Sequence, residues 1–341
     1  MPFCVARSMV SRVVVALLIL GVGVSCSNPA TSTSPTPPPP PPPPPVAAAP
    51  TLACPNTVRT STTAIAGVAA SYSVPAAEGG QSPVVVTCTP ESGTLFKIGE
   101  TVVECSASDA LNRTASCTFA VQVSRIPSLS KTRFLAFGDS ITGGEVTVPV
   151  ASSFGDRSFK QVQVPSAAYP TVLAIQLAAR YRAQEDAIAV ANYGVAGEKA
   201  VNARDRFIAA LGIVRPDAVL LMEGSNDIAR GEDGAASGAA QEIRNMAAEA
   251  RRRGMRVFIA TVPPGRPGGS KTIAPLLLTD YNNRMRSVAA TEGAILVDVF
   301  AALSTDVNRF IGIDGLHPTE LGYARIADTF FAAIRAEFEV P

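Results

Sequence analysis

The chain has 341 residues, is 47% hydrophobic and 17% charged, and carries a formal net charge of +1. That length points to more than one domain, and the composition allows a buried core and excludes a chain disordered throughout. No basic run exceeds Arg251-Arg252-Arg253, which argues against a nucleic-acid partner, and the single histidine, His317, excludes any site needing two imidazoles.

The first 26 residues read as a targeting segment. Arg7 and Arg12 flank the start of an uncharged apolar stretch over 13–24. A membrane-spanning helix needs about 20 such residues, so this stretch suits a secretory signal instead. It ends in Gly23-Val24-Ser25-Cys26. This ending resembles the cleavage box of bacterial lipoproteins, with Gly23 where leucine is usual. The resemblance implies that Cys26 is lipidated after cleavage. Ordinary signal cleavage, with Cys26 a bystander, is the other reading. Ser27 follows the cysteine where an aspartate would retain a lipoprotein at the inner membrane, so the resemblance implies an outer-membrane anchor. Residues 27–50 carry no charge and include nine consecutive prolines, Pro37 to Pro45. Such a run adopts polyproline II at about 3.1 Å per residue and acts as a semi-rigid stalk. A partner that reads proline is the alternative.

Residues 51–126 read as a small β domain. Short β-prone runs at Ala69–Val74, Val84–Cys88, Gly99–Ser106 and Ser116–Val123 alternate with turn clusters, the pattern of a β-sandwich. Cys54, Cys88, Cys105 and Cys117 all fall here and read as two disulfides, with three pairings open. A zinc site is disfavoured by the lack of a C-x₂-C pair. The run from Cys54-Pro55 through Pro83-Val84, Ser92-Gly93, Phe96, Ile98-Gly99 and Val102 to Ala115–Phe119 resembles the hyalin-repeat domain. That family is immunoglobulin-like and serves adhesion or spacing outside cells. The resemblance implies pairing of first cysteine with third and second with fourth, and an extracellular ligand for this domain.

Residues 130–341 read as an α/β domain without cysteine. Arg133–Gly138, Ala187–Tyr193, Ala218–Glu223, Arg256–Val262 and Ala294–Val299 are short and almost wholly apolar, as strands buried on both faces of a parallel sheet are. Helical patterns lie between them at Tyr169–Arg182, Ala200–Leu211, Ala236–Arg253 and Asp280–Glu292. A last one runs over Thr319–Glu339, with Thr319 as its cap. The expected fold is a three-layer αβα sandwich around a five-stranded parallel sheet, with the site at the carboxyl ends of the strands.

Four fragments carry chemistry. The first strand ends in Gly138-Asp139-Ser140, where a tight turn can hold a serine hydroxyl in the mouth of the sheet. The second ends at Gly194 to Gly197, where glycine lets a backbone N–H approach a ligand. The third ends in Gly224-Ser225-Asn226-Asp227, whose asparagine amide can donate to an oxyanion. Asp314-Gly315-Leu316-His317 follows the last strand and sets a carboxylate three residues before the lone imidazole. Each fragment alone also reads as an ordinary cap or turn. In this order, together, they resemble the SGNH hydrolase family, also called GDSL esterases and lipases, over residues 130–341.

The resemblance implies a flavodoxin-like sheet, Ser140 as nucleophile, His317 as general base and Asp314 as its orienting acid. It implies an oxyanion hole from the N–H groups of Ser140 and Gly197 and the amide of Asn226, with no metal or organic cofactor. Asp139 and Asp227 read as acceptors that brace loops. The stretch 144–166 is longer than the direct path from serine turn to helix, and reads either as a substrate-contacting lid or as a neutral insertion. The expected activity is that of an exported esterase, a carbohydrate O-acetylesterase or short-chain acyl esterase. The alternatives are a lysophospholipase or lipase, and an adhesive surface lipoprotein with a vestigial hydrolase domain.

Overall fold

The computed structural model describes residues 45–150 and 159–340. The signal segment, Cys26 and nearly all of the proline run lie outside the described residues. No helix among the described residues is long and apolar enough to cross a membrane.

In the amino-terminal β region, four strands form one sheet: β1 Val58–Thr62, β2 Val85–Thr89, β3 Gly99–Ser108 and β4 Thr114–Arg125, in the order β1-β4-β3-β2. β1 runs parallel to β4, and the other pairs are antiparallel. Burial alternates along β3 and β4, so Val103, Cys105, Phe119, Val121 and Val123 turn inward onto Tyr72 and Phe96. Two expectations change. The run Ala69–Val74 is a strand only at Val68–Ala69. The Tyr72 N–H instead donates to Ser92 Oγ, and that hydroxyl donates back to the Tyr72 carbonyl, so one side chain takes the place of a ladder. β1 is a strand that the polar sequence Val58-Arg59-Thr60-Ser61-Thr62 did not announce.

The cysteines form two disulfides, Cys54–Cys117 and Cys88–Cys105. The pairing is first with fourth and second with third, which corrects the pairing implied by the hyalin-repeat resemblance. Register permits this pairing, with Cys117 also opposite Cys105 across β3–β4. Cys88 stands directly opposite Cys105 on the antiparallel β2–β3 pair, with both side chains on the buried face.

The second region holds a five-stranded parallel sheet. Its strands are β5 Arg133–Gly138, β8 Ala189–Gly194, β9 Ala218–Met222, β10 Arg256–Ala260 and β11 Ile295–Val297, in the order β8-β5-β9-β10-β11. All five expected strands are present, with each end within two residues of the expected one. Every residue of β9, the central strand, is buried, which is why its sequence Ala-Val-Leu-Leu-Met has no polar alternation. Helix α2 (Tyr169–Arg180) packs on α9 (Glu320–Phe338), with Tyr169 and Phe330 stacked at 5.0 Å. Helices α3 (Arg204–Val214), α5 (Ala235–Arg252) and α6 (Pro275–Thr291) pack among themselves and against the sheet, which completes three layers. Thr319 caps α9 as expected, its Oγ1 accepting from the Gly322 N–H at 3.1 Å.

The strand order reverses at β5, between β8 and β9. A crevice therefore opens at the carboxyl ends of these three strands, where ligands of such sheets bind. Two features were not foreseen. The helices α7 (Val299–Ser304) and α8 (Val307–Phe310) intervene between β11 and the histidine turn. The stretch after Ser140 folds as an antiparallel hairpin, β6 Glu145–Pro149 with β7 Phe159–Gln163.

Candidate active site

Ser140 opens α1 (Ser140–Gly143), a single turn directly after β5. Asp139 caps it, with Oδ1 accepting from the Ile141 N–H at 2.9 Å, and its other oxygen accepts from Ser225 Oγ. Two glycines make room for this turn. A Cβ on Gly138 would lie 2.1 Å from the Met222 carbonyl oxygen, and one on Gly194 would lie 2.1 Å from the Gly143 nitrogen. Neither strand end could carry a side chain without displacing the serine.

His317 is brought in by a closed turn. The Gly312 N–H donates to the His317 carbonyl at 2.8 Å, and Ile311 bridges to Pro318. Asp314 Oδ2 lies 2.6 Å from His317 Nδ1, and Oδ1 accepts from the N–H groups of Leu316 and His317 at 3.1 Å each. The ring then reaches Ser140 Oγ through Nε2 at 2.9 Å. A carboxylate can only accept, so Nδ1 carries the proton and Nε2 offers its lone pair to the serine hydroxyl. Burial alone would raise the Asp314 carboxyl. The bonds from the imidazole and the two amides outweigh it and hold the group below its ordinary range. All three residues are at most 3% exposed.

The other expected residues gather at the same crevice. Gly197 and Asn226, the latter on the short helix α4 (Ser225–Ile228), line a cleft of about 520 Å³ together with Ser140 and His317. Asn226 Nδ2 donates to the Glu198 carbonyl at 2.9 Å, which fixes the amide and leaves its second hydrogen for another acceptor. Glu198 is in turn paired with Arg206, whose guanidinium also donates to the Tyr193 carbonyl and lies over the Phe137 ring. Asp227 accepts from the N–H groups of Ala200 and Val201, and so ties the loop after β9 to the loop after β8. Asp139 and Asp227 thus act as braces.

Beneath the cleft lies a group of buried acids. Burial pushes the Asp139 carboxyl up to about 6, against the lowering effect of its bonds from Ser225 and Ile141. Burial and the neighbouring carboxylates push Glu223 far above its ordinary range, and neither Glu223 oxygen has a partner among the described residues. Among those residues, no group of three or more His, Cys, Asp or Glu is arranged to hold a metal ion.

Three lining residues escaped the sequence reading. Glu145 Oε2 lies 3.4 Å from His317 Nε2. Gln161 Nε2 lies 3.0 Å from Nδ1 and 3.3 Å from Nε2 of the same ring, and Lys271 Nζ donates to Gln161 Oε1 at 2.8 Å. Glu145 and Gln161 come from the hairpin. Lys271 comes from the loop after β10, whose backbone is tied to the histidine turn by the Lys271 N–H donating to the Asp314 carbonyl at 2.7 Å. The only advance signal was the extra length of 144–166.

Residues 136–325 match the GDSL-like lipase/acylhydrolase family, and residues 47–123 match the HYR domain. No curated protein matches the chain. Among solved structures the chain is similar to the lipase/acylhydrolase from Enterococcus faecalis, at 19% identity and TM-score 0.50, over 61% of this chain and 97% of that one. It is also similar to a GDSL-like lipase, described as putative, from Parabacteroides merdae (18%, TM-score 0.48, 61% and 97%). A third is Axe2, an acetylxylan esterase from Geobacillus stearothermophilus (21%, TM-score 0.47, 61% and 95%). The likeness to the Enterococcus faecalis structure bears on the fold alone. The class that fold and family define is an ester hydrolase with a three-layer α/β core. The match over more than half of its length places the chain in the GDSL-like lipase/acylhydrolase family, with a HYR domain before the hydrolase region.

Proposed function

We propose that this chain is an exported serine esterase in which Ser140, His317 and Asp314 form the catalytic triad. The observation that carries the reading is the continuous path from Ser140 Oγ through both ring nitrogens of His317 to a buried carboxylate, at the edge of an open cleft. Ser140 Oγ attacks the ester carbonyl while its proton passes to Nε2. The tetrahedral oxyanion is held by the N–H groups of Ser140 and Gly197 and the free hydrogen of the Asn226 amide. Nε2 then returns the proton to the leaving alcohol. A water repeats the sequence on the acyl-enzyme, releasing the acid and restoring Ser140.

The substrate we infer is an ester of a short acyl group, foremost an O-acetylated carbohydrate. The cleft wall supports this. Glu145, Gln161, Asn226, Ser270, Lys271 and Thr272 outnumber the apolar Ala196, Ala229 and Leu316. A long acyl chain would find little apolar surface there to replace water. A panel of p-nitrophenyl esters of rising chain length, run beside acetylated xylan and lysophospholipid, tests this. Acetate should be cleaved fastest and acetylated xylan deacetylated. Preference for lysophospholipid would overturn the substrate, and no turnover at all would favour an adhesive protein with an idle hydrolase region. The signal-like residues 1–26 and Cys26 support export and a lipid anchor at the outer membrane. A mature protein that stays soluble without detergent and does not begin at Cys26 would contradict that part.

A further inference from the structure

We propose that Glu145, Gln161 and Lys271 form the subsite that reads the alcohol half of the ester, and that it selects a polyhydroxylated alcohol such as a sugar ring. The inference rests on the triad assignment above. In acyl transfer, Nε2 of the histidine is shared in turn by the serine, the leaving alcohol and the hydrolytic water. Any other polar group within reach of that nitrogen therefore stands where the alcohol oxygen must come. Two groups border it here. Glu145 Oε2 is 3.4 Å from His317 Nε2, and Gln161 Nε2 lies over the ring, 3.3 Å from Nε2 and 3.0 Å from Nδ1.

The orientation of the Gln161 amide is set by chemistry. Lys271 Nζ can only donate, and it lies 2.8 Å from the amide oxygen, so the amide nitrogen faces the imidazole. There it lies against the ring, 3.0 Å from Nδ1 and 3.3 Å from Nε2, and leaves the Nε2 lone pair to Ser140. Glu145 and a neutral His317 Nε2 are both acceptors, so no proton of their own lies between them. A hydroxyl entering that gap has a carboxylate to donate to. The row thus presents an acceptor, an amide donor and an ammonium donor side by side, beside the atom that handles the leaving group.

An alkyl alcohol would strip water from all three groups and return no hydrogen bonds, whereas vicinal hydroxyls of a sugar satisfy them. The hairpin that carries two of these residues is then a specificity element, with Glu145 and Gln161 towards its base beside His317.

The test holds the acyl group constant and changes the alcohol. The ratio of kcat/KM for an acetylated xylooligosaccharide to that for ethyl acetate is measured in wild type, Glu145→Gln and Lys271→Met. Each variant should lower that ratio about tenfold or more, the scale of one lost hydrogen bond to a charged group. A ratio unchanged in both variants overturns the inference, as does a wild type that prefers ethyl acetate. Fluorophosphonate labelling of Ser140 is run on all three proteins. Labelling with an unchanged ratio defeats the subsite alone, and a wild type that does not label defeats the triad assignment beneath it.

Discussion

The β region and the hydrolase region are held together by different means. In the first, nine buried residues make the core, two of them are cysteines, and both disulfides lie in or against it. In the second, fifty residues among those described form one core without a single cysteine. A small module cannot bury enough surface to offset its chain entropy and needs covalent staples, whereas a core several times larger does not. Buried acids outside the triad differ as well. In the β region, burial would raise Asp109, but the N–H groups of Gln81, Leu111 and Arg113 and the Arg113 guanidinium satisfy it and hold it far below its ordinary range. In the hydrolase region Asp139 and Glu223 are pushed up, directly beneath the cleft. The stapled region keeps its buried charge satisfied. The larger core tolerates acids whose charged form burial disfavours, where the site is built.

If chemistry belongs to the second region alone, Ser140→Ala and His317→Ala should each cost about 10⁶-fold in kcat. The double variant should be little worse than either, and denaturant unfolding of both regions should be unchanged. Reduction of the disulfides should act the opposite way. The loops closed by the two bonds span 63 and 17 residues, so the β region should lose about 3–4 kcal/mol per bond on a chain-entropy account. Turnover of p-nitrophenyl acetate should persist, and its loss on reduction would erase the division between the regions.

Much of this contrast could be read before the structure. The serine turn and the histidine turn are runs of consecutive residues, and each carries its own geometry. The five strands declare themselves because a strand buried on both faces is a run of apolar residues. What could not be read depends on register or on distant contact. Cys105 faces Cys88 only because β2 and β3 pair in one register, and spacing along the chain does not set that. Val58–Thr62 is an edge strand whose partner, β4, lies about 60 residues on, and its polar sequence gives no hydrophobic signal. Glu145, Gln161 and Lys271 meet only after a hairpin and a loop 110 residues apart fold onto His317.

Smaller effects sharpen the comparison. Asn226→Ala should lower kcat about 10²–10³-fold, through loss of one oxyanion donor. Because Asn226 is only a link in the loop network, the Tm of the hydrolase region should move little. With pH the two regions should diverge. Asp139 rises from an ordinary 3.8 to about 6 on folding, so the native state holds its proton more tightly than the unfolded chain. Its stabilising contribution is full below about pH 4 and is lost as pH rises through 6, about 3 kcal/mol in all. The stability of wild type minus that of Asp139→Asn, from denaturant titrations, should therefore fall as pH rises across that window. Asp109 has the opposite sign. Its contribution is present above about pH 4 and is lost as pH falls below that value, and the same experiment with Asp109→Asn checks it.

The central claim is that one serine, activated by the only histidine in the chain, performs the chemistry. A fluorophosphonate probe followed by peptide mass spectrometry tests it most directly. The account predicts a single adduct on Ser140 in wild type, formed at the same rate before and after reduction of the disulfides and nearly abolished in His317→Ala. An adduct on another residue, or labelling of Ser140 that is as fast without the imidazole, would contradict it.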